Sequence, residues 1–250
     1  MLEPIEQIFI NYKNFISKLK TSSTLNYKRF VRWLSKYIQL KSFEQKFKST
    51  HLPVYEPGQI VFLDFGCGLG NEFSYPHYAV VLNTSDRKKN TILTVVPLTS
   101  KKERHKELKP WEYELQQSIP SLLGMKALST FDLNAPEYRN LRDDAVKLAV
   151  QELPHEEFYI KYQEILRAGV EAIYNNNLDI MKLREKMKEG SIVETNHVRT
   201  INKLRILTPT RRHHALYGVK IHENDLAGIR LLIMKDIITG DIDKLTPKRI

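Results

Sequence analysis

Three short apolar segments in the middle of the chain lie too close together for anything but hairpin connections between them. QIVFLDF at residues 59–65 is followed by HYAVVLN at 77–83 and TILTVVPL at 91–98. These segments are rich in β-branched residues and bounded by turn residues, as β-strands are. Parallel neighbours would need a longer crossover, usually a helix. The spacing therefore predicts an antiparallel meander.

The glycine-rich stretch LDFGCGLG at the end of the first segment also resembles the first motif of S-adenosylmethionine-dependent methyltransferases. Such a site needs a long helix after the glycine turn, and a following strand that ends in a carboxylate. Here Pro76 interrupts the short stretch that follows, where it would disrupt a helix, and the next strand ends in Asn83. The sequence favours the meander, and a methyltransferase remains the less favoured alternative.

Helical periodicity dominates the start of the chain and the region after the strands. Residues 1–50 contain two amphipathic segments separated by TSST, whose hydroxyl side chains suit helix N-caps. The alternating segment WEYEL at 111–115 precedes a mostly helical stretch at about 118–189. Strand patterns then return, and a last helix follows. We therefore expect a helical hairpin at 1–50 and a domain at 51–250 with a helical insertion.

The charge balance favours a polyanionic partner. The formal net charge is +10. The first 50 residues contain ten Lys and Arg against three Glu, a net charge of +7. Such an excess indicates RNA, DNA or an anionic membrane as partner. A solvated basic surface is the alternative interpretation of the same pattern.

Cysteine usage and hydropathy indicate a cytoplasmic protein. Cys67 is the single cysteine, so an internal disulfide is impossible, which fits a reducing compartment. No window approaches the ~18 apolar residues that a membrane-spanning helix needs. The N-terminus also lacks the pattern of a signal peptide. We expect no membrane association.

The strands and the glycine loop together resemble the MazF/PemK family of toxin endoribonucleases. The family's first strand ends in Asp, a glycine loop with Glu follows, and the next strands contain Ala-hydrophobic-Val-Leu and Pro-hydrophobic-Thr-Ser segments. The matching positions are Gly58, Asp64, Gly70, Glu72, Ala79 to Leu82, Pro97 to Ser100 and, on a later strand, Asn196 to Thr200. The resemblance covers residues 57–115 and 190–240 and leaves the helical hairpin and the insertion outside it.

This resemblance implies an α+β fold built on a small SH3-like, MazF/PemK-type antiparallel β-barrel. The N-terminal helical hairpin, the helical insertion and the C-terminal helix would be additions to it. The implied function is the toxin of a type II toxin–antitoxin system, a metal-independent endoribonuclease that cleaves single-stranded mRNA by attack of the 2′-hydroxyl. The implied partners are single-stranded RNA, a protein antitoxin and a second copy of the chain in a homodimer. No cofactor is expected.

One departure from the family pattern concerns the reaction centre. His77 stands where the family usually has its catalytic arginine. An imidazole transfers protons near neutral pH, which a guanidinium does not readily do. We expect His77 to transfer protons, with Thr99 and Ser100 donating hydrogen bonds to the phosphate. Glu72 is a lower-ranked candidate, as a base or as a residue that orients His77.

Other side chains have the chemistry to hold single-stranded RNA, whose bases stack on aromatic rings and whose phosphates bind cations. These candidates are Tyr75, Tyr78, Lys101, Lys102, Arg104, Asn196 and Arg199. Structural interpretations stay open, since Tyr78 alternates as a core residue would and Glu72 could simply anchor its loop. The adjacent His213 and His214 would point to opposite faces of a strand. We therefore expect no metal site.

A second function class remains for the same fold. If the histidine at position 77 does not replace the family's catalytic arginine in function, the protein is a non-catalytic SH3-like RNA-binding module. An RNA cleavage assay separates that module from the enzyme. Binding of S-adenosylmethionine would instead identify a methyltransferase.

Overall fold

The computed structural model describes residues 4–130, 132, 134–185 and 190–239. Its helices are α1 (Pro4–Ser22), α2 (Thr24–Phe43), α3 (Ile119–Ser129), α4 (Arg139–Ala149), α5 (His155–Asn176), α6 (Leu178–Glu185) and α7 (Glu223–Ile233), with a π-helical extension Met234–Thr239. Its strands are β1 (Ile60–Asp64), β2 (Pro76–Val81), β3 (Ile92–Ser100), β4 (Glu112–Glu114), β5 (Ser191–Glu194), β6 (Arg199–Asn202) and β7 (Ile206–Thr208). The predicted α+β class, hairpin, helical insertion and last helix are confirmed. Residues 1–3, 131, 133, 186–189 and 240, which belong to predicted segments, lie outside the described residues.

The strands form one sheet, and every strand pairing in the described residues is antiparallel. The order is β4-β5-β3-β2-β1-β7, with β6 also pairing with β3. β1, β2 and β3 form the predicted meander, in which Ile60 lies opposite Val80 and Ala79 lies opposite Pro97.

Closure of this sheet into the predicted barrel is not confirmed. The outermost strands, β4 and β7, have three residues each. They are not hydrogen bonded to each other within the described part of the chain. Strands of this length offer few backbone groups for a closing ladder. The sheet is therefore open, and its antiparallel order is consistent with the fold that the resemblance implies.

Both faces of the sheet are buried, which explains why its strands are nearly continuous apolar runs. Alternating side chains of β1, β2 and β3 enter two separate clusters. One cluster contains Val61, Leu63, Ala79, Val81, Leu93 and Val95. The other contains Ile60, Val80, Val96 and Leu98 with Leu123 of α3, Ile180 of α6 and Ile229 of α7. The insertion and the last helix therefore cover one face of the sheet.

The N-terminal hairpin packs through a row of aromatic rings. Ser23 caps α2 by accepting a hydrogen bond from the Asn26 N–H at 3.3 Å, as TSST predicted. Successive ring contacts at 5.2–5.6 Å join Phe15, Phe30, Trp33 and Tyr37. Several apolar side chains of α1 remain exposed, including Ile5, Ile8 and Phe9, because two helices bury only the faces that they share. No described helix is long and apolar enough to cross a membrane.

The glycine loop, residues 65–75, joins β1 to β2 and is closed at its base. The Phe65 N–H donates to the Tyr75 carbonyl at 3.1 Å, and the Tyr75 N–H donates to the Gly66 carbonyl at 2.6 Å. These bonds continue the β1–β2 ladder, in which Asp64 pairs with Pro76. The loop therefore returns the chain directly into an antiparallel strand.

Two glycines in this loop are required by its shape and not by a cofactor. Gly66 has φ +91°, a conformation that strains other residues. A Cβ at position 68 would lie 2.5 Å from the Cβ of Glu72. The long helix that a methyltransferase needs after its glycine turn is absent from residues 65–81. The loop lacks the structural context of an S-adenosylmethionine site.

A buried ion pair fixes the β2–β3 connection against β6. The Lys203 Nζ contacts both carboxylate oxygens of Asp86 at 2.7 Å, and both side chains have no exposed surface. The same carboxylate accepts a hydrogen bond from the Tyr55 N–H at 3.0 Å. The carboxylate is therefore fully engaged away from water.

Candidate active site

His77 lies on β2, opposite Leu63 of β1, close to where the strand leaves the glycine loop. Its ring is half-buried and meets the edge of Phe73 with centroids 4.5 Å apart. This contact holds the imidazole against the loop while its other side faces open space. His77 is therefore positioned by the sheet and by the loop together.

Three cavities meet at His77. The β3 cavity, about 380 Å³, is lined by Thr99, Ser100, Lys102, Tyr78 and the start of α3. The loop cavity, about 490 Å³, is lined by Glu72, Phe73, Thr99, Arg104, Asn196 and His197. The α2 cavity, about 490 Å³, is lined by Arg29, Arg32, Trp33, Lys36 and Tyr75. His77 is common to all three, which places it at the centre of a branched cleft.

Burial lowers the pKa of His77 below the usual histidine value, and the nearby Lys102 ammonium lowers it further. A backbone hydrogen bond at Leu98 acts in the opposite direction and is the smallest of the three effects. The imidazole is therefore held neutral around pH 7. A neutral imidazole is able to accept a proton, as a general base must.

Thr99 lies near His77 at the end of β3. The β2–β3 ladder ends with the pair Ala79 and Pro97, and Thr99, two residues further along β3, pairs with Ile192 of β5. The side chains of His77 and Thr99 both line the β3 and loop cavities. The structure thus brings together the predicted proton-transfer residue and a predicted hydroxyl donor.

Glu72 is held by its own loop. Its Oε2 accepts a hydrogen bond from the Leu69 N–H at 3.1 Å and lies 3.6 Å from Arg199. Arg199 also donates to the Phe65 carbonyl at 3.2 Å. These contacts give Glu72 an anchoring role in the loop, and it lines the loop cavity together with His77.

The Lys and Arg side chains predicted to bind RNA differ in whether a carboxylate pairs with them. Lys101 forms a 2.6 Å ion pair with Glu114 on β4, and Arg104 lies 3.4 Å from the buried Glu194. Lys102 is exposed and borders the β3 cavity beside His77. Arg104 and Lys102 therefore flank His77 on two sides, while Lys101 is engaged with the neighbouring strand.

The two predicted stacking tyrosines have different surroundings. Tyr78 is half-buried against Phe62 with ring centroids 4.8 Å apart. Burial raises the pKa of Tyr78. Tyr75 has φ +70°, and its ring lies 5.9 Å below the Arg29 guanidinium. Tyr75 lines the α2 cavity, whereas Tyr78 lines the β3 cavity.

His197 was missed from the sequence although its neighbour Asn196 was selected. It ends a single 3₁₀ turn, Thr195–His197, between β5 and β6. Its ring lies 5.5 Å from that of Phe73, which separates it from His77. Both histidines line the loop cavity. The signal in the sequence was a histidine inside the matched late-strand segment, but its approach to residue 77 is a tertiary contact.

Three buried side chains beside the loop cavity lie close enough together to surround an ion. His105, Glu112 and Glu194 place their polar atoms within 4.8 Å of one another, and the His105 Nε2 and Glu112 Oε1 are buried without hydrogen-bond partners in the described structure. However, the His105 Nδ1 accepts the Lys102 N–H at 2.9 Å. Because Nδ1 accepts this bond, the Nε2 atom carries a proton that faces the carboxylates. That proton disfavours a metal–nitrogen bond.

The segment TRRHH at 210–214, which contains His213 and His214, lies in bends and turns after β7 and not in a strand. The rings of His213 and His214 are 4.9 Å apart. The His214 Nδ1 accepts a hydrogen bond from the Thr210 N–H at 3.2 Å. His214 therefore closes its own turn.

Comparison with known proteins agrees with the resemblance that the sequence suggested. The family model of PemK-like, MazF-like toxins of type II toxin–antitoxin systems matches residues 56–158. That segment includes β1 to β4, the glycine loop, His77 and Thr99. No curated protein matches the chain. Residues 56–158, which carry the centre of the cleft, are thus similar to the PemK-like, MazF-like toxin family.

Proposed function

We propose that this toxin is a metal-independent endoribonuclease that cleaves single-stranded RNA through the RNA's own 2′-hydroxyl. The observation that carries the proposal is a neutral, half-buried His77 at the meeting point of three cavities, two of which Thr99 also lines. Such a cleft admits an unpaired strand and supplies a base and a hydrogen-bond donor at one position. The family match supports the proposal, because PemK-like, MazF-like toxins are generally endoribonucleases.

The proposed reaction transfers its protons through two histidines. His77 accepts the proton of the 2′-hydroxyl as that oxygen attacks the adjacent phosphorus. The bond between phosphorus and the 5′-oxygen breaks, and His197, which lines the same loop cavity, donates a proton to the leaving oxygen. The products are a 2′,3′-cyclic phosphate and a 5′-hydroxyl. Water is not consumed in this step.

Negative charge develops on the phosphate oxygens in the transition state. Hydrogen-bond donors that are already in place stabilise this charge. We assign this role to the Thr99 and Ser100 hydroxyls, which line the β3 cavity. Lys102 and Arg104 add positive charge on either side of His77. Asn196 borders the loop cavity and has amide groups suited to base edges.

Partners follow from the same assignment. A type II system pairs its toxin with a protein, so the family match supports a protein antitoxin as a partner. We further propose that the chain acts as a homodimer on mRNA in the cytoplasm. No cofactor takes part in the proposed reaction.

The products of RNA cleavage test the proposal. Incubation with single-stranded RNA of mixed sequence is expected to give 2′,3′-cyclic phosphate and 5′-hydroxyl ends, identified by mass spectrometry. EDTA should leave the rate unchanged because the nucleophile belongs to the substrate. RNA with 2′-deoxy nucleotides throughout is the control and should resist cleavage. Products with 5′-phosphate ends would contradict the mechanism, and RNA binding without cleavage would identify the non-catalytic module.

The pH dependence of cleavage tests His77 as the base. On the acidic side the rate should rise with pH through the lowered pKa of His77, because only the neutral ring accepts a proton. Lys102→Gln removes one cause of the lowered pKa, so the midpoint of the rise should move to higher pH. Lys101→Gln is the matched control and should leave the midpoint in place. An unchanged midpoint in Lys102→Gln would show that another group titrates.

A further inference from the structure

The N-terminal hairpin lies outside the residues matched by the toxin family, yet one face of it forms a wall of the cleft. We propose that α2 is a substrate-binding element whose Arg29, Arg32 and Lys36 bind the phosphates of the RNA strand next to His77. The proposal rests on RNA being the substrate of the site. It assigns to the hairpin a role in the reaction beyond that of the family segment.

The geometry of α2 supports a continuous binding surface. Arg29, Arg32, Trp33 and Lys36 recur at spacings of three and four, so they share one face of the helix. The three cations extend along about 10 Å of the helix axis. All four residues line the α2 cavity, and the opposite wall is formed by Tyr75 and His77. A strand that places its reacting phosphate at His77 therefore has this face beside it.

Contacts with the glycine loop hold this face in position. The Trp33 Nε1 lies 3.4 Å from the position that a Cβ on Gly66 would take, so a larger residue at 66 would press on the indole. The Arg29 guanidinium lies over the Tyr75 ring at 5.9 Å. The helix therefore meets the loop through two side chains of the same face that lines the cavity.

The positive charge of the face is not neutralised by the protein itself. Arg29, Arg32 and Lys36 are exposed, and none forms an ion pair within the described parts of the chain. The one carboxylate in the cavity lining is that of Asp64, whose Oδ1 accepts the Gly66 N–H at 2.9 Å. The three cations therefore remain available to an anion.

The composition of the cavity favours RNA over an acidic protein segment. Cations alternate there with the aromatic rings of Trp33 and Tyr75, the combination that grips unpaired nucleotides. The cavity is also continuous with His77, which the reacting phosphate must reach. Lys102, on the other side of His77, continues the positive surface. A single strand crossing His77 would thus meet cations on both sides.

A binding experiment tests the proposal with a matched control. The ligand is a pool of short single-stranded RNA oligonucleotides of mixed sequence, 2′-O-methylated so that they bind without being cut. The test variant is Arg29→Gln, Arg32→Gln, Lys36→Gln, and the control is Lys13→Gln, Lys18→Gln, Lys20→Gln on α1, which removes the same charge from the same hairpin. Three lost phosphate contacts should weaken binding about 10- to 100-fold at about 0.1 M salt. The slope of log affinity against log salt should also fall by about 2.

The α1 control distinguishes contacts made by the basic face of α2 from a general effect of the hairpin's positive charge. The α1 variant should bind RNA nearly as the original protein does, and Arg29→Lys with Arg32→Lys should retain the salt slope. Equal weakening in both triple variants, or no weakening in the α2 variant, would overturn the proposal. So would unchanged RNA binding combined with lost binding of a co-purified antitoxin, which would make this face a protein surface. Binding by α2 without any cleavage of unmodified RNA would defeat the proposed nuclease and leave this inference standing.

Discussion

Replacing His77 with alanine is expected to slow RNA cleavage by about 10²–10⁴-fold, the usual contribution of a positioned proton-transfer group. The affinity for uncleavable RNA should change little, because the cations that border the three cavities remain. Single-turnover rates with saturating protein, together with binding of 2′-O-methyl RNA, separate these two effects. Thermal unfolding followed by circular dichroism confirms that the half-buried ring is not required for folding.

A second substitution at the same position makes the test sharper. His77→Arg restores the residue that the family usually carries there, so partial activity is expected. Its pH profile should lack the rise caused by an imidazole, because arginine stays protonated. Full activity in His77→Ala would contradict the assignment and shift attention to Thr99 and Glu72.

Replacing Lys203 with alanine is expected to lower the free energy of unfolding by about 3–5 kcal/mol, the usual effect of breaking a buried ion pair. The Asp86 carboxylate would keep its hydrogen bond from the Tyr55 N–H but would lose its only buried cation contact among the described residues. Urea unfolding followed by circular dichroism measures the change.

The control for this substitution is an ion pair of similar length at the surface. Lys220 lies 2.6 Å from Glu56, and both side chains are about half exposed. Surface pairs contribute about 0–1 kcal/mol, so Lys220→Ala should change stability little. Replacing the buried pair together, as Lys203→Met with Asp86→Leu, should recover much of the loss because no unpaired charge remains. Equal effects at 203 and 220 would contradict the role given to burial.

The strands could be predicted from the sequence because both faces of the sheet are covered. Short apolar runs with polar links left little choice of secondary structure, and the meander of β1, β2 and β3 follows them closely. Barrel closure could not be predicted in this way. Closure depends on whether the outer strands β4 and β7 approach closely enough to pair. Strand patterns in the sequence do not encode the distance between them.

Only part of the candidate site could be predicted from the sequence, because contacts between distant parts of the chain are not encoded in local patterns. His77 and Thr99 were selected through a motif, and both line the β3 and loop cavities. His197 could not be placed, because its approach to Phe73 joins residues distant in the chain. The sequence showed the positive charge of the first 50 residues, but it did not show that one face of α2 borders His77. Periodicity identifies a face and does not say what lies opposite it.

The closed base of the glycine loop separates the tip of the loop, residues 67–71, from the sheet. The hydrogen bonds among Phe65, Gly66 and Tyr75 fix both ends of the loop to the sheet. Doubling the length of a flexible loop costs only about 0.6 kcal/mol when its ends are held. A tip of different sequence or length can therefore be grafted there without displacing His77 from β2, as long as Phe73 keeps its contact with the His77 ring. The tip is thus open to engineering separately from the position of the imidazole.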